Sequence, residues 1–218
     1  MSASSEGIAP TGHPLAAGRL DDPAAYPGVD PTDFLAAVEG LPAQLADAID
    51  RARGATDLPA ADGIRSVAVL GMGGSGISGE LCRTLLAPVA PVPVASARDY
   101  ELPAWVGPDT LVFAVSYSGN TEETLAAYAE ASRRGARIVA VTSGGALGAE
   151  AAAAGQAVIE VPGGMMPRAA LGFVSLPPLV VCARLGLAPG LERGLDGMLV
   201  TVGQRVVECS RSVPTAAN

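Results

Sequence analysis

Val112–Thr124, VFAVSYSGNTEET, is the stretch from which the rest of the chain is read. Val112, Phe113, Ala114 and Val115 form an unbroken apolar run, the pattern of a parallel strand buried on both faces. Ser116, Ser118, Asn120 and Thr121 crowd the loop that follows, and Gly119 permits a tight backbone path there. From Thr121 the run TEETLAAYAEASRR has a helical period. Leu125, Tyr128 and Ala129 share one face, acids occupy the first turn, and Arg133–Arg134 close the last. A strand, a hydroxyl loop and a helix start outline an anion site: free N–H groups point out of the helix, its dipole favours negative charge, and hydroxyls add neutral donors. A phosphate can be held there with no cation in the loop. The same residues also fit a plain capping motif, with Asn120 or Thr121 capping the helix and the serines lining a turn. Their crowding at the carboxyl end of a strand, where open α/β sheets place ligands, favours the ligand reading.

Working outward, Ser66–Leu70 (SVAVL) is the first strand and runs directly into Gly71-Met72-Gly73-Gly74-Ser75-Gly76, with a helix expected over Ile77–Leu86. Gly71, Gly73 and Gly76 have the GxGxxG spacing of a dinucleotide loop. The acid that should close the second strand, Val92–Ala95, is missing. Ser96, Ala97 and Arg98 stand there and Asp99 falls late, which leaves an NADP reading through Arg98 open. The other use of the loop is as a second wall of N–H groups, with the Ser75 hydroxyl facing the first site. Tyr100–Pro108 is a connecting loop with the only tryptophan, Trp105, in a packing role. Arg137–Thr142 is a fourth strand ending in Ser143-Gly144-Gly145; a helix follows at Leu147–Ala154 and a fifth strand at Ala157–Val161. This recurrence predicts an α/β fold, a three-layer α-β-α sandwich on a five-stranded parallel sheet.

In the segment 162–172, Pro167 suits the first helical position and Arg168 falls in the first turn, where a cation opposes the dipole. A cation so placed at the carboxyl end of a sheet invites a ligand explanation; a solvated surface arginine is the alternative. Leu171–Leu187 reads as an apolar helix despite Pro177-Pro178, Leu191–Arg211 as an amphipathic one, and Ser212–Asn218 as coil. At the other end, residues 1–27 are without period and read as a flexible tail, and the only histidine, His13, lies in it, a poor place for a catalytic group. Asp30-Pro31-Thr32-Asp33 starts a helical run through Arg53 that Pro42 splits in two, a packing element with no chemistry of its own.

With 218 residues, 49% of them hydrophobic, the chain can build one sizeable core. A net charge of -8 argues against nucleic acid or a membrane surface as partner. Cys82, Cys182 and Cys209 show neither a disulfide framework nor zinc spacing, so a cytoplasmic location is expected, with no metal and no cofactor. The N-terminus reads as lacking a signal peptide, and no clean apolar stretch is long enough to span a bilayer.

Taken together, GMGGSGISG at 71–79, SYSGNTEETL at 116–125, VTSGG at 141–145, MPRAALG at 166–172 and LPAQLADAI at 41–49 resemble the bifunctional phosphoglucose/phosphomannose isomerases of the sugar isomerase (SIS) superfamily. The SxSGxT loop marks the superfamily; GMGGSGI and PRAALG narrow it to this family. The resemblance starts at about Asp30, beyond a flexible tail taken as 1–29, and implies a flavodoxin-like SIS domain at 30–190 and at 191–218 a helix and linker toward an absent second SIS domain. It implies interconversion of glucose 6-phosphate or mannose 6-phosphate with fructose 6-phosphate through a cis-enediolate. By the same resemblance, Gly74, Ser75, Ser116, Ser118 and Thr121 grip the phosphate and Arg168 stabilises the enediolate. The family's base glutamate, its histidine and a lysine lie in the second domain, so this chain alone is expected to lack the acid–base groups. Glu122 and Glu123 are poor substitutes, because they sit beside the phosphate. A homodimer or a second-domain partner is expected, since the apolar helices at 171–208 would otherwise stay partly exposed. The competing expectation is a non-catalytic module that senses a sugar phosphate; the basic helix-turn-helix carried by regulators of that type is not visible.

Overall fold

The structure, a computed structural model, describes residues 21–217; His13 and the other residues of the segment 1–20 lie outside the described residues. Five parallel strands form one sheet in the order β2-β1-β3-β4-β5. They are β1 (Ser66–Leu70), β2 (Val94–Ala97), β3 (Thr110–Val115), β4 (Arg137–Thr142) and β5 (Ala157–Glu160). β3 lies at the centre with every position buried, and Ala68 pairs with Val112 on one side as Val139 pairs with Phe113 on the other.

Alternation along β3 builds the three layers. Leu111, Phe113 and Val115 join a core with α3 (Leu41–Gly54), α4 (Gly73–Leu86) and α7 (Leu171–Arg184). Val112 and Ala114 face the other core, with α5 (Glu122–Arg133) and α6 (Gly145–Ala153). The remaining helices are α1 (Tyr26–Val29), α2 (Phe34–Glu39) and α8 (Leu191–Glu208). The strand order also fixes where a ligand fits. From β1 the chain crosses outward to β2, then returns past β1 to β3, so the connections leaving β1 and β3 diverge to opposite faces and open a crevice between them.

The expected five-stranded α-β-α sandwich is therefore observed, with shifted boundaries. β2 begins at Val94 rather than Val92 because Pro93 has no N–H for the ladder; only its carbonyl takes part, accepting from Val67 N at 2.9 Å. α4 begins at Gly73, so the glycine loop is itself the first helical turn. Pro42 opens α3 at a position that needs no donor, which is why the run splits there. α7 passes through buried Pro177 and Pro178 and ends at Arg184. α8 stops at Glu208, and Arg211 pairs instead with Glu39 (2.9 Å) and Asp33 (3.0 Å). Within the segment expected to be tail, Pro23–Ala25 and Tyr26–Val29 form short helical turns, the first capped by Asp22.

Among the described residues no helix is long and apolar enough to cross a membrane. Cys82 and Cys182 are buried where α4 meets α7, whereas Cys209 is exposed. Burial pushes the Cys182 thiol up to about 12 and carries Cys82 well above the ordinary range, the latter further raised by the neighbouring Cys182. Thiolate, the reactive form, is thereby suppressed at both. At pH 8 the folded chain should release one equivalent of chromophore from a disulfide thiol reagent, from Cys209, and three after denaturation. Rapid reaction of two or three thiols in the folded state would contradict the packing of α4 on α7.

Candidate functional site

Two helix starts face the crevice. In α5, the first intrahelical bond runs from Leu125 N to Thr121 O at 2.9 Å, and the Thr121 side chain makes no capping bond. In α4, it runs from Gly76 N to Met72 O at 3.0 Å, so the N–H groups of Gly74 and Ser75 precede the ladder. Neither Asn120 nor Thr121 caps α5, although Ser118 does line the turn, accepting from Asn120 N. Asn120 does cap a helix, but a different one: its Oδ1 accepts from Ala146 N at 3.0 Å, in the first turn of α6.

The hydroxyls are arranged in a pattern that leaves protons over. Ser75, 7% exposed, accepts from Tyr117 N at 3.2 Å, and its own O–H has no acceptor. Ser118 is exposed and likewise only accepts, from Asn120 N at 3.3 Å. Ser116 Oγ and Thr121 Oγ1 lie 3.0 Å apart, so one donates to the other and the second keeps a free proton. Ser116 is fully buried, which makes Thr121 the member of that pair that reaches the crevice. Three hydroxyl protons and two helix starts thus stand without acceptors at the ends of β1 and β3, a set suited to an anion with several oxygens.

The loop is held rigidly. Tyr117, 5% exposed, donates its hydroxyl to Pro162 O at 2.8 Å and accepts from Met165 N at 3.0 Å. Its carbonyl takes Ser143 Oγ at 2.7 Å and Ser143 N at 3.0 Å. Gly119 adopts φ +70°, and a Cβ there would overlap the Gly144 carbonyl oxygen, so two glycine turns abut where no side chain fits. Tyr117 was not a candidate from the sequence; the signal was a large aromatic embedded among small polar loop residues.

Arg168 lies in a 3-10 turn, Pro167–Ala170, that runs into α7. This turn touches the start of α4: a Cβ on Gly74 would meet Pro167 O at 3.2 Å and Arg168 N at 3.6 Å. The glycine at 74 therefore lets the arginine turn and the Ser75 helix start come together. The chain contains no lysine. Among the described arginines, Arg168 and Arg193 alone make neither an ion pair nor a hydrogen bond. Arg98 is not available for a 2′-phosphate: it donates to Gly76 O at 2.9 Å and lies 3.7 Å from Glu80. With the ribose acid also missing, the dinucleotide reading has no support in the geometry. All six candidates are thus gathered at one edge of the sheet, with Ser116 buried beneath and Arg168 and Ser118 exposed. No histidine occurs among the described residues, and Glu122 and Glu123 occupy the first turn of α5.

Residues 63–170 match the SIS domain family. Within that family it resembles the bifunctional phosphoglucose/phosphomannose isomerases. One from Caldicellulosiruptor bescii is 44% identical over 159 residues, covering 73% of this chain and 47% of the relative. A D-glucosamine-6-phosphate 4-epimerase from Sulfolobus acidocaldarius is 39% identical over 123 residues, covering 56% of this chain and 37% of the relative. The fold is shared with a hypothetical protein from Thermus thermophilus whose structure covers 90% of this chain and 48% of its own, at a TM-score of 0.58 and 23% identity. The chain thus spans about half, or less, of the length of these proteins.

Gly119→Ala tests the rigidity of the loop. Forcing φ +70° on a side-chain residue and a Cβ into the Gly144 carbonyl should cost about 2 kcal/mol or more. Urea denaturation reads this out; a loss below half of that would mean the loop relaxes freely.

Proposed function

We propose that this chain binds the phosphate of a sugar 6-phosphate between the starts of α4 and α5, and that it supplies the substrate-gripping half of an aldose–ketose isomerase. The reaction would interconvert glucose 6-phosphate or mannose 6-phosphate with fructose 6-phosphate through a cis-enediolate. The observation that carries the reading is the set of unaccepted donors from Gly74, Ser75, Ser118 and one member of the Ser116–Thr121 pair beside Arg168, a cation with no protein partner. Similarity to curated isomerases supplies the substrate class.

In this reading the phosphate oxygens take the helix N–H groups and hydroxyl protons, while Ser116 holds Thr121 in place. Anchoring the phosphate fixes the far end of the sugar and brings C1 and C2 toward Arg168. Negative charge develops on the C1 and C2 oxygens only as the proton leaves carbon, so a guanidinium fixed there acts chiefly on the transition state. Proton transfer needs a base within about 3 Å or one water of the carbon. Glu122 and Glu123 are poorly suited, because each would be a second anion beside the phosphate. The base and the group that opens the sugar ring therefore come from outside the described residues, from a second domain or a partner copy. The same shortage favours a second reading, a module that binds the sugar phosphate without turning it over.

Two variants test the assignment of roles. Thr121→Val should weaken fructose 6-phosphate about tenfold in calorimetry, the loss of a hydrogen bond to a charged group, and leave any binding of free fructose unchanged. Equal effects on both would remove the phosphate from that loop. Arg168→Ala, in a coupled assay for glucose 6-phosphate formation, should abolish whatever turnover the parent chain shows while weakening fructose 6-phosphate binding only modestly. Equal large losses would make Arg168 a phosphate ligand instead. A parent chain that binds but does not turn over supports the sensing module or a half-site.

A further inference from the structure

Nothing in the periodicity of α3 points to chemistry, yet its first turn carries a buried amide with both ends engaged. Gln44 is 6% exposed. Its Nε2 donates to Ala169 O at 2.8 Å and lies 3.8 Å from Met165 Sδ, while its Oε1 accepts from Gly172 N at 2.5 Å. The orientation of the amide follows from chemistry, since a carbonyl needs the donor end and an N–H needs the acceptor end. The three partners bracket Arg168 on both sides. The approach is close: a Cβ on Gly172 would lie 2.7 Å from Gln44 Oε1. Tyr117 holds the preceding residues, Pro162 and Met165, from the phosphate loop. The turn bearing the unpaired arginine is therefore fastened from two elements that are remote in sequence.

We propose that Gln44 is a positioning residue for Arg168: it fixes the 165–172 turn so that the guanidinium meets the C1 and C2 oxygens of a phosphate-anchored sugar. This rests on the sugar-phosphate reading above. The competing role is simple capping of α7, since Gly172 N belongs to the first turn of that helix. The two roles use different ends of the amide. Capping needs only the acceptor, whereas holding the turn also needs the donor to Ala169.

Gln44→Glu separates them. A carboxylate still accepts from Gly172 N, and does so at a helix start that favours it, but it cannot donate to Ala169 O and repels that oxygen. The test measures binding of two probes to the full chain by calorimetry. Inorganic phosphate reports the cradle alone. 5-Phospho-D-arabinonate adds a carboxylate where the enediolate oxygens would form, and so reports Arg168 as well. The expected result is a loss of about tenfold or more for the arabinonate, the scale on which small misplacements act, with phosphate affinity held within about twofold. On an Arg168→Ala background, Gln44→Glu should then cause no further loss of selectivity.

Equal losses for both probes, or no loss for either, would make Gln44 a cap and overturn the proposal while leaving the sugar-phosphate reading intact. Failure of the parent chain to bind either probe would overturn that reading, and this assignment with it. Should Gln44→Glu lack a cooperative thermal transition, Gln44→Met, of similar size and without the charge, takes its place with the same expectation. If neither folds, Gln44 is a residue of the core and the proposal falls.

Discussion

The crevice depends on the hydrogen bonds of one residue, Tyr117. Its N–H goes to Ser75 at the start of α4, its carbonyl to Ser143 after β4, and its hydroxyl to Pro162 and Met165 after β5. Loops at the carboxyl edge of a parallel sheet are connected to one another only through such contacts, because each belongs to a separate crossover. Tyr117 converts them into one body. The hydroxyls of Ser75, of Ser118 and of one member of the Ser116–Thr121 pair can therefore keep protons without protein acceptors, where a floppy loop would turn them onto its own carbonyls.

The electrostatics follow from the same arrangement. A chain of net charge -8 repels anions at long range, and most of its arginines are neutralised by carboxylates or turned onto carbonyls, as at Arg134 with Glu130 and Arg184 with Ala52. The region around Gly74 is the exception. Starts of α4 and α7 meet there, α5 starts across the crevice, and Arg168 has no counter-charge. Each helix start contributes a partial positive charge that acts only over its first turn. An anion there would thus be met at contact distance, by shape and donors, rather than drawn in by the overall field.

Much of the fold was legible because it is written locally. Apolar runs such as SVAVL and RIVAVT mark strands, and glycine or hydroxyl loops at their ends mark the crossovers. The hydroxyls of the site were legible for the same reason, since they crowd one loop. What was not legible is long-range pairing. Gln44 meets Gly172 across 128 residues, Tyr117 meets Met165 across 48, and Asn120 caps a helix 26 residues away. None of these leaves a periodic trace. Two differences from the sequence expectation have local causes: glycine disfavours helices, yet the glycine loop is the first turn of α4, and β2 starts after a proline that cannot donate to the ladder.

Arg168 bears on whether the site is built for a ligand or is an accident of surface chemistry. Its turn leads into α7, where a cation is disfavoured by about 0.3–1 kcal/mol. Arg168 is exposed, and solvation alone would need none of the structure around it. Here the turn is fastened by Gln44 and Tyr117, and a glycine at 74 admits it against the second helix start. A cation beside two helix starts is disfavoured by their dipoles. In the function proposed above, an anion would relieve this, most fully one charged at two places, with phosphate at the hydroxyls and developing oxyanion at the guanidinium. On that proposal a ligand charged at one end alone would relieve only part of it, and the arrangement would suit a reaction intermediate better than its substrate.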